Sequence, residues 1–224
     1  MDNKYTPIIK FKQTRYGSNH WIGFSPKLKR DVNLYSDLEY ANWIYVETNP
    51  YIITFCEQPV KAHSIVDGKI KTSIIDMWIR RIDGSEAYIE VKYSNDIDPN
   101  NPKNNKTLKQ ILCQKQWCEE NGYEHIVHTE KFLYENSYFI ENMKIILTHV
   151  RDSPFPDELK LKRLQNVLSH RKTTIRSIKN EIDNQPWVAA AIYHLIFAGL
   201  WRGELKSAPL TDLTEVECNE QKES

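Results

Sequence analysis

The chain predicts an α+β protein: one early helix, three to four antiparallel strands, a second helix, a closing strand, and then a separate small helical domain. Three observations carry this. Ser36-Asp37-Leu38-Glu39 forms a capping-box signature ahead of an apolar run. Between residues 51 and 93, short β-branched and aromatic runs are punctuated by Asp67-Gly68 and Asp83-Gly84. From Lys106 the apolar spacing changes to that of a helix, which ends at Asn121-Gly122.

Residues 1 to about 33 are basic and aromatic, with Ile8-Ile9-Lys10-Phe11 as a short strand candidate. The first helix places Leu38, Ala41, Tyr45 and Thr48 on one side and Tyr40, Trp43 and Ile44 on another, and Asn49-Pro50 stops it. Tyr51 to Gln58 reads as a strand halted by Pro59, and Val60 to Val66 as a second. Thr72–Ile79 and Ala87–Tyr93 then form a hairpin closed by a two-residue Asp-Gly turn. Ser94 to Pro102 is a polar loop beside that hairpin. The helix from Lys106 is expected to present Leu108, Ile111, Leu112 and Lys115 on one side; Glu124 to Thr129 closes the sheet, and Glu130 to Val150 is mostly helical.

Ser153-Pro154-Phe155-Pro156 reads as a linker, so the first domain is set at 1–150. Residues 151–215 carry helical patterns at 157–169, at 173–182 with Thr173 as cap, and at 186–197 with Pro186 in the first turn. A small hairpin is expected within Gly199–Leu205. Three helices and a hairpin suit a winged helix-turn-helix; a plain helical cap is the alternative. Residues 216–224 are an acidic tail.

Composition excludes little. The net charge is zero and the pI near 7, which argues against binding nucleic acid through sheer positive field. No apolar run approaches the roughly 18 residues of a membrane span, and residues 1–20 have no signal-peptide pattern, so a cytoplasmic protein with no membrane partner is expected. Cys56, Cys113, Cys118 and Cys218 form no Cys-x-x-Cys pair, and His63, His125 and His128 are too scattered for a metal cluster. Two basic stretches stand out: Lys10, Lys12, Arg15, Lys27, Lys29 and Arg30, interleaved with aromatics, and Arg171, Lys172 and Arg176. These suit a phosphate backbone, although a solvated surface explains either stretch equally well.

The chemistry concentrates in the second hairpin. Alternation puts Glu90 and Lys92 on one face, and pairing brings Asp76 beside them. Two carboxylates with an adjacent lysine are able to hold a divalent cation and steady a water for phosphodiester hydrolysis. Glu39, on the preceding helix, could join them, but by pattern alone its capping role suffices. The same residue types decorate the wet face of any antiparallel sheet.

The whole ordered string carries more than the trio. Glu39, then Glu57-Gln58-Pro59, then Asp76, then Glu90-Val91-Lys92 resembles the PD-(D/E)xK nuclease fold in its TnsA-like transposon endonuclease form, with Ile75 where that motif often has proline. Val188 to Leu195, Gly199-Leu200 and Pro209-Leu210-Thr211 resemble the winged-helix domain of the same family, so the resemblance spans roughly residues 30 to 215. It implies a restriction-endonuclease-like core with a central mixed sheet flanked by helices. It also implies a Mg2+-dependent endonuclease, with Mn2+ substituting, in which Glu39, Asp76 and Glu90 are metal ligands and Lys92 is the catalytic lysine. Capping and metal binding need not exclude each other at Glu39. The substrate implied is double-stranded DNA at the 5′ ends of a transposon. A TnsB-like transposase cuts and joins the 3′ ends, and a TnsC-like AAA+ regulator coordinates both. Gln110 and Gln114 lie on the following helix and are given no role. The competing readings are a DNA-binding or assembly subunit with a vestigial nuclease fold, and a stand-alone restriction or phage-type nuclease.

Overall fold

The computed structural model describes residues 4–9, 19–168 and 172–219, which divide into two compact units. The first runs to Glu47 and then from Tyr51 to Glu135; the second takes Thr48–Pro50 and the chain from Asn136. The division therefore falls before the helix at 139–152, not after residue 150, and the Ser153–Pro156 segment lies inside the second unit.

In the first unit, β1 (Trp21–Ser25) and β2 (Arg30–Leu34) pair antiparallel and lead into α1 (Asp37–Thr48). A β-carbon on Gly23 would stand 2.5 Å from the buried Trp43 ring, so only glycine lets β1 lie over that indole. Next come β3 (Ile52–Glu57), β4 (Lys61–Val66), β5 (Lys69–Ile74), β6 (Met77–Arg81) and β7 (Glu86–Val91). After two short 3-10 turns follow α2 (Asn105–Glu120), β8 (Glu124–His128) and α3 (Glu130–Leu133).

The central sheet has the order β3-β6-β7-β8, antiparallel except for the parallel β7–β8 edge. A parallel pair needs a crossover, and α2 provides it. A mixed sheet flanked by helices is thus present. On one face Cys56, Trp78 and Tyr88 pack with Cys118 of α2 and with Trp117 and Tyr123. On the other, reached by the alternate residues, Asn42 of α1 donates to Met77 Sδ at 3.5 Å and its Oδ1 meets His128 Nδ1 at 2.7 Å. Burial pushes the His128 imidazole down to about 4, as suits a neutral core histidine.

The hairpin expected from the sequence is corrected in two places. Thr72–Ile79 is not one strand: it breaks at Ile75-Asp76, where the chain leaves the two-stranded β4–β5 ribbon and enters the central sheet. Backbone bonds hold the break, from Gln58 N to Asp76 O at 2.9 Å and from Ile75 N to Val60 O at 3.2 Å. The β6–β7 turn is also longer than two residues. Arg81 N bonds Ser85 O and Gly84 N bonds Arg81 O, with Gly84 alone at positive φ, +84°. A three-residue loop needs left-handed geometry at its last position only, whereas the two-residue Asp67-Gly68 turn of β4–β5 has both residues there.

The buried face of α2 consists of Cys113, Gln114 and Cys118; Leu112 and Lys115 are exposed. Apolar spacing misplaces this face because two polar glutamines are turned inward. The segment expected to be mostly helical over 130–150 consists of α3 and α4 (Phe139–Asp152), with a break at 134–138.

In the second unit α4 packs on α7 (Trp187–Phe197), while α5 (Glu158–Leu168) and α7 both contact α6 (Ile175–Glu181). Thr174, not Thr173, caps α6, its hydroxyl accepting from Ser177 N at 3.2 Å. No local hairpin forms at 199–205. Instead β10 (Trp201–Gly203) pairs with β11 (Glu215–Cys218), which pairs with β9 (Thr173–Thr174). Buried Asn142 of α4 ties down the intervening loop through Leu205 O, Ala208 O and Leu210 N. Among the described residues no helix is long and apolar enough to cross a membrane.

Candidate active site

Three local devices bring the acidic residues to one place. Asp76 occupies the break between β5 and β6, so it has no strand partner, and its Oδ2 accepts the Val91 N–H at 2.8 Å. That bond ties it to the β7 residue next to Glu90. Glu90 itself is fully buried under α2. Lys92 Nζ donates to Glu90 Oε1 at 2.5 Å and lies 3.9 Å from Asp76 Oδ2. Glu39, in the first turn of α1, donates its N–H to Ser36 Oγ at 3.1 Å, as in a capping box, while its carboxylate accepts from Ser36 Oγ at 3.3 Å and from Tyr35 N, one residue before the cap, at 3.0 Å.

Glu39, Asp76 and Lys92 line one cavity of about 900 Å³, together with Gln58, Lys61, Lys71, Lys106, Lys109 and Gln110. The carboxylates feel one another. Burial, then the Asp76 charge, lifts Glu39 to about 7, and the same two causes in the same order raise Glu90. Burial alone would lower Lys92, but Asp76 and Glu90 outweigh it and raise the ammonium. Lys92 is therefore charged at neutral pH and offers hydrogen-bond donors, not a lone pair.

The glutamines of α2 are a feature to which the sequence pattern assigns no role. Gln110 Nε2 donates to Glu90 Oε1 and Gln114 Nε2 to Glu90 Oε2, both at 2.7 Å. Gln114 also reaches Ser73 Oγ at 2.8 Å, and its Oε1 meets His125 Nε2 at 3.2 Å. The four-residue interval between them puts both amides on one helix face, a signal present in the sequence but not separable from solvated polarity. Gln58 enters the sequence pattern only as part of a motif. It is buried at φ +38°, its Oε1 has no hydrogen-bond partner, and its N–H holds the Asp76 carbonyl. Strain and an unpaired acceptor together are typical of functional sites.

The candidate DNA contacts fare unevenly. Lys10, Lys12, Arg15 and Arg171 lie outside the described residues. Lys27 is turned inward, donating to Val46 O and Ile52 O, and burial lowers it to about 8. Arg30 is committed to a two-pronged pair with buried Glu57, at 2.6 and 2.7 Å. Neither is free to meet phosphate, because each satisfies groups that burial would otherwise leave unpaired. Lys29 is exposed in the β1–β2 turn. In the second unit Lys172 is exposed and paired with Glu215 at 2.6 Å, and Arg176 is exposed on α6. The basic rim of the cavity comes instead from Lys61, Lys71, Lys106 and Lys109, which only the β4–β5 register and the placement of α2 bring together.

The donor set is all oxygen, which suits a hard cation such as magnesium. Among the described residues no group of three or more His, Cys, Asp or Glu side chains is arranged to hold a metal ion by itself. Both Glu90 oxygens are already engaged, by Lys92, Gln110 and Gln114. The arrangement fits an open site of a few carboxylates completed by water and substrate oxygens, and not a closed protein cage.

Residues 49–130 match the family model described as TnsA-like endonuclease N terminal. Over this stretch the chain is similar to the N-terminal domain of TnsA-like endonucleases. The match covers β3 to β8 and thus Asp76, Glu90, Lys92 and both glutamines, and it leaves Glu39 and most of the second unit outside. No curated protein matches the chain.

One consequence concerns pH. A carboxyl whose folded pKa is raised binds its proton more tightly in the folded state, so its contribution to stability falls as pH rises from the unfolded value near 4.5 to about 7 for Glu39. Glu39→Gln, which keeps the cap, should therefore be more stable than the wild type at pH 7.5 by on the order of 1–3 kcal/mol and show little difference at pH 4. Thermal melts of the metal-free protein across that range test it; a constant difference would refute the shift.

Proposed function

We propose that the protein is a metal-dependent DNA endonuclease subunit of a heteromeric transposase, hydrolysing phosphodiester bonds at the 5′ ends of a transposon so that the element is excised. The reading rests on one observation above the others: within the TnsA-like domain, Asp76 and Lys92 line a lysine-rimmed cavity, with Glu39 on the same wall and Glu90 directly behind.

Asp76, Glu90 and Glu39 would hold Mg2+ or Mn2+. The bound ion supplies the positive charge that offsets negative charge developing on the phosphoryl oxygens. Lys92, as an ammonium, orients the attacking water and the phosphate through its N–H donors. Val91 N–H and the two α2 glutamines keep Asp76 and Glu90 in fixed positions before substrate arrives. Lys61, Lys71 and Lys106 neutralise the approaching backbone. The second unit, with four helices and a three-stranded sheet among its described residues, is read as a winged-helix DNA-binding domain. Zero net charge accords with a subunit held on DNA by a TnsB-like transposase and a TnsC-like regulator in the cytoplasm.

The test is cleavage of duplex DNA carrying transposon ends, with Mg2+ or Mn2+, with and without a TnsB-like transposase. The expected result is 5′-end nicking that requires both metal and transposase. Free cutting of unrelated DNA would instead identify a solitary nuclease, and no cutting with all partners present would identify a non-catalytic subunit.

A further inference from the structure

The β4–β5 ribbon presents two unlike faces. Ala62, Ser64 and Ser73 face α2, where Ser64 Oγ bonds Gln116 at 2.8 Å and Ser73 Oγ bonds Gln114. The other face carries the cross-strand pairs Lys61–Ile74, His63–Thr72 and Ile65–Ile70. Ile65 is 66% exposed and Ile70 75% exposed, adjacent to each other at the tip beside the Asp67-Gly68 turn. A paired apolar tip on an otherwise polar ribbon is costly to leave in water unless something covers it.

Charge identifies what covers it. The ribbon carries Lys61, Lys69 and Lys71 against a single acid, Asp67, which Lys109 of α2 neutralises at 2.6 Å. The open face is continuous with the cavity, since Lys61, Thr72 and Ile74 line it. A two-stranded ribbon fits a DNA groove, and isoleucine is among the side chains that proteins wedge against base steps to bend a duplex.

We propose that the β4–β5 ribbon is a duplex-DNA-binding element that lies along the DNA beside the bond to be cut. Ile65 and Ile70 pack into a groove with Lys61 on the same face, and Lys69 and Lys71, exposed on the opposite side of β5, extend to the phosphates that border it. The inference rests on the endonuclease reading and adds to it the surface that seats and bends the substrate. It also gives the hairpin break a purpose, because the ribbon ends two residues before Asp76, so DNA gripped by the ribbon is delivered to the carboxylates.

The test uses the full chain, EDTA, and a fluorescently labelled mixed-sequence duplex with a donor–acceptor pair at its ends. The double substitution Ile65→Ser/Ile70→Ser alters only exposed side chains. It should weaken binding ~10-fold and lower the bend reported by energy transfer, while leaving the salt dependence unchanged. Lys69→Ala/Lys71→Ala should instead reduce the slope of log affinity against log salt by ~2, about one for each phosphate that a lysine no longer neutralises. Equal affinity and bend in wild type and isoleucine variant would overturn the ribbon proposal while leaving the endonuclease reading intact, all the more if the variant loses only its association with the transposase. Failure of the wild type to bind duplex at low salt would overturn the ribbon proposal, whereas the endonuclease reading falls only if transposon ends stay uncut with metal and transposase present.

Discussion

Asp76→Asn is expected to lower cleavage of transposon-end DNA by ~10³-fold or more, because it removes a charged oxygen from the set proposed to hold the cation that offsets phosphoryl charge. The substitution is close to isosteric, and the amide oxygen still accepts the Val91 N–H that now ends on Oδ2. The fold should therefore survive, and a melting temperature near the wild-type value separates lost chemistry from lost structure. Gln114→Met should cost less, ~10–100-fold, because Gln114 acts by positioning Glu90. In a reconstituted reaction the asparagine variant should leave 3′-end joining intact and convert simple insertions into cointegrates. Wild-type excision by Asp76→Asn would remove Asp76 from the mechanism.

Arg30→Ala is expected to destabilise the protein by about 3–5 kcal/mol, the range for stranding one member of a buried ion pair. Glu57 is 1% exposed, and its two oxygens take separate guanidinium nitrogens of Arg30. Removing the arginine leaves a carboxylate with no compensating charge at the centre of the unit, whereas Arg30→Met with Glu57→Met should recover much of the loss. Lys29→Ala next door, fully on the surface, should stay within about 0.5 kcal/mol of wild type. Chemical denaturation of the four proteins decides the matter. Unchanged stability of Arg30→Ala with weakened DNA binding would return Arg30 to the set of phosphate contacts.

Arg30 also illustrates where a sequence is legible and where it is not. Local signals are enough for α1, whose cap is seen in the bond from Glu39 N to Ser36 Oγ, and for the β4–β5 turn, where Asp67-Gly68 adopts the expected left-handed pair. The family match rests likewise on ordered motifs that survive without knowledge of contacts. Partnership is another matter. A lysine directed at phosphate and one directed at a buried carbonyl are the same letter, so Lys27 reads as a surface charge although Val46 O and Ile52 O hold it inside. Gln110 and Gln114 are named on the sequence but given no role for the converse reason: an amide has no charge to advertise, and only the packing of α2 on Glu90 gives it a task. The strand break at Ile75-Asp76 is hidden because both halves have β-forming residues, and what separates them is a change of pairing partner, a property of the tertiary fold.

That break has a consequence for how the sequence tolerates insertions and deletions. Strand register is pinned on each side, by the β4–β5 pairing before Asp76 and the β6–β7 pairing after it. Extra residues at the Asp67-Gly68 or Asp83-Gly84 turn lengthen a surface loop at little cost and leave both registers unchanged. A single residue added or lost between Ser73 and Met77 has no loop to absorb it and must displace either the ribbon or the carboxylate. Length variation among chains that keep this chemistry should therefore collect at the two hairpin tips, and the spacing across Ile74-Ile75-Asp76 should be constant.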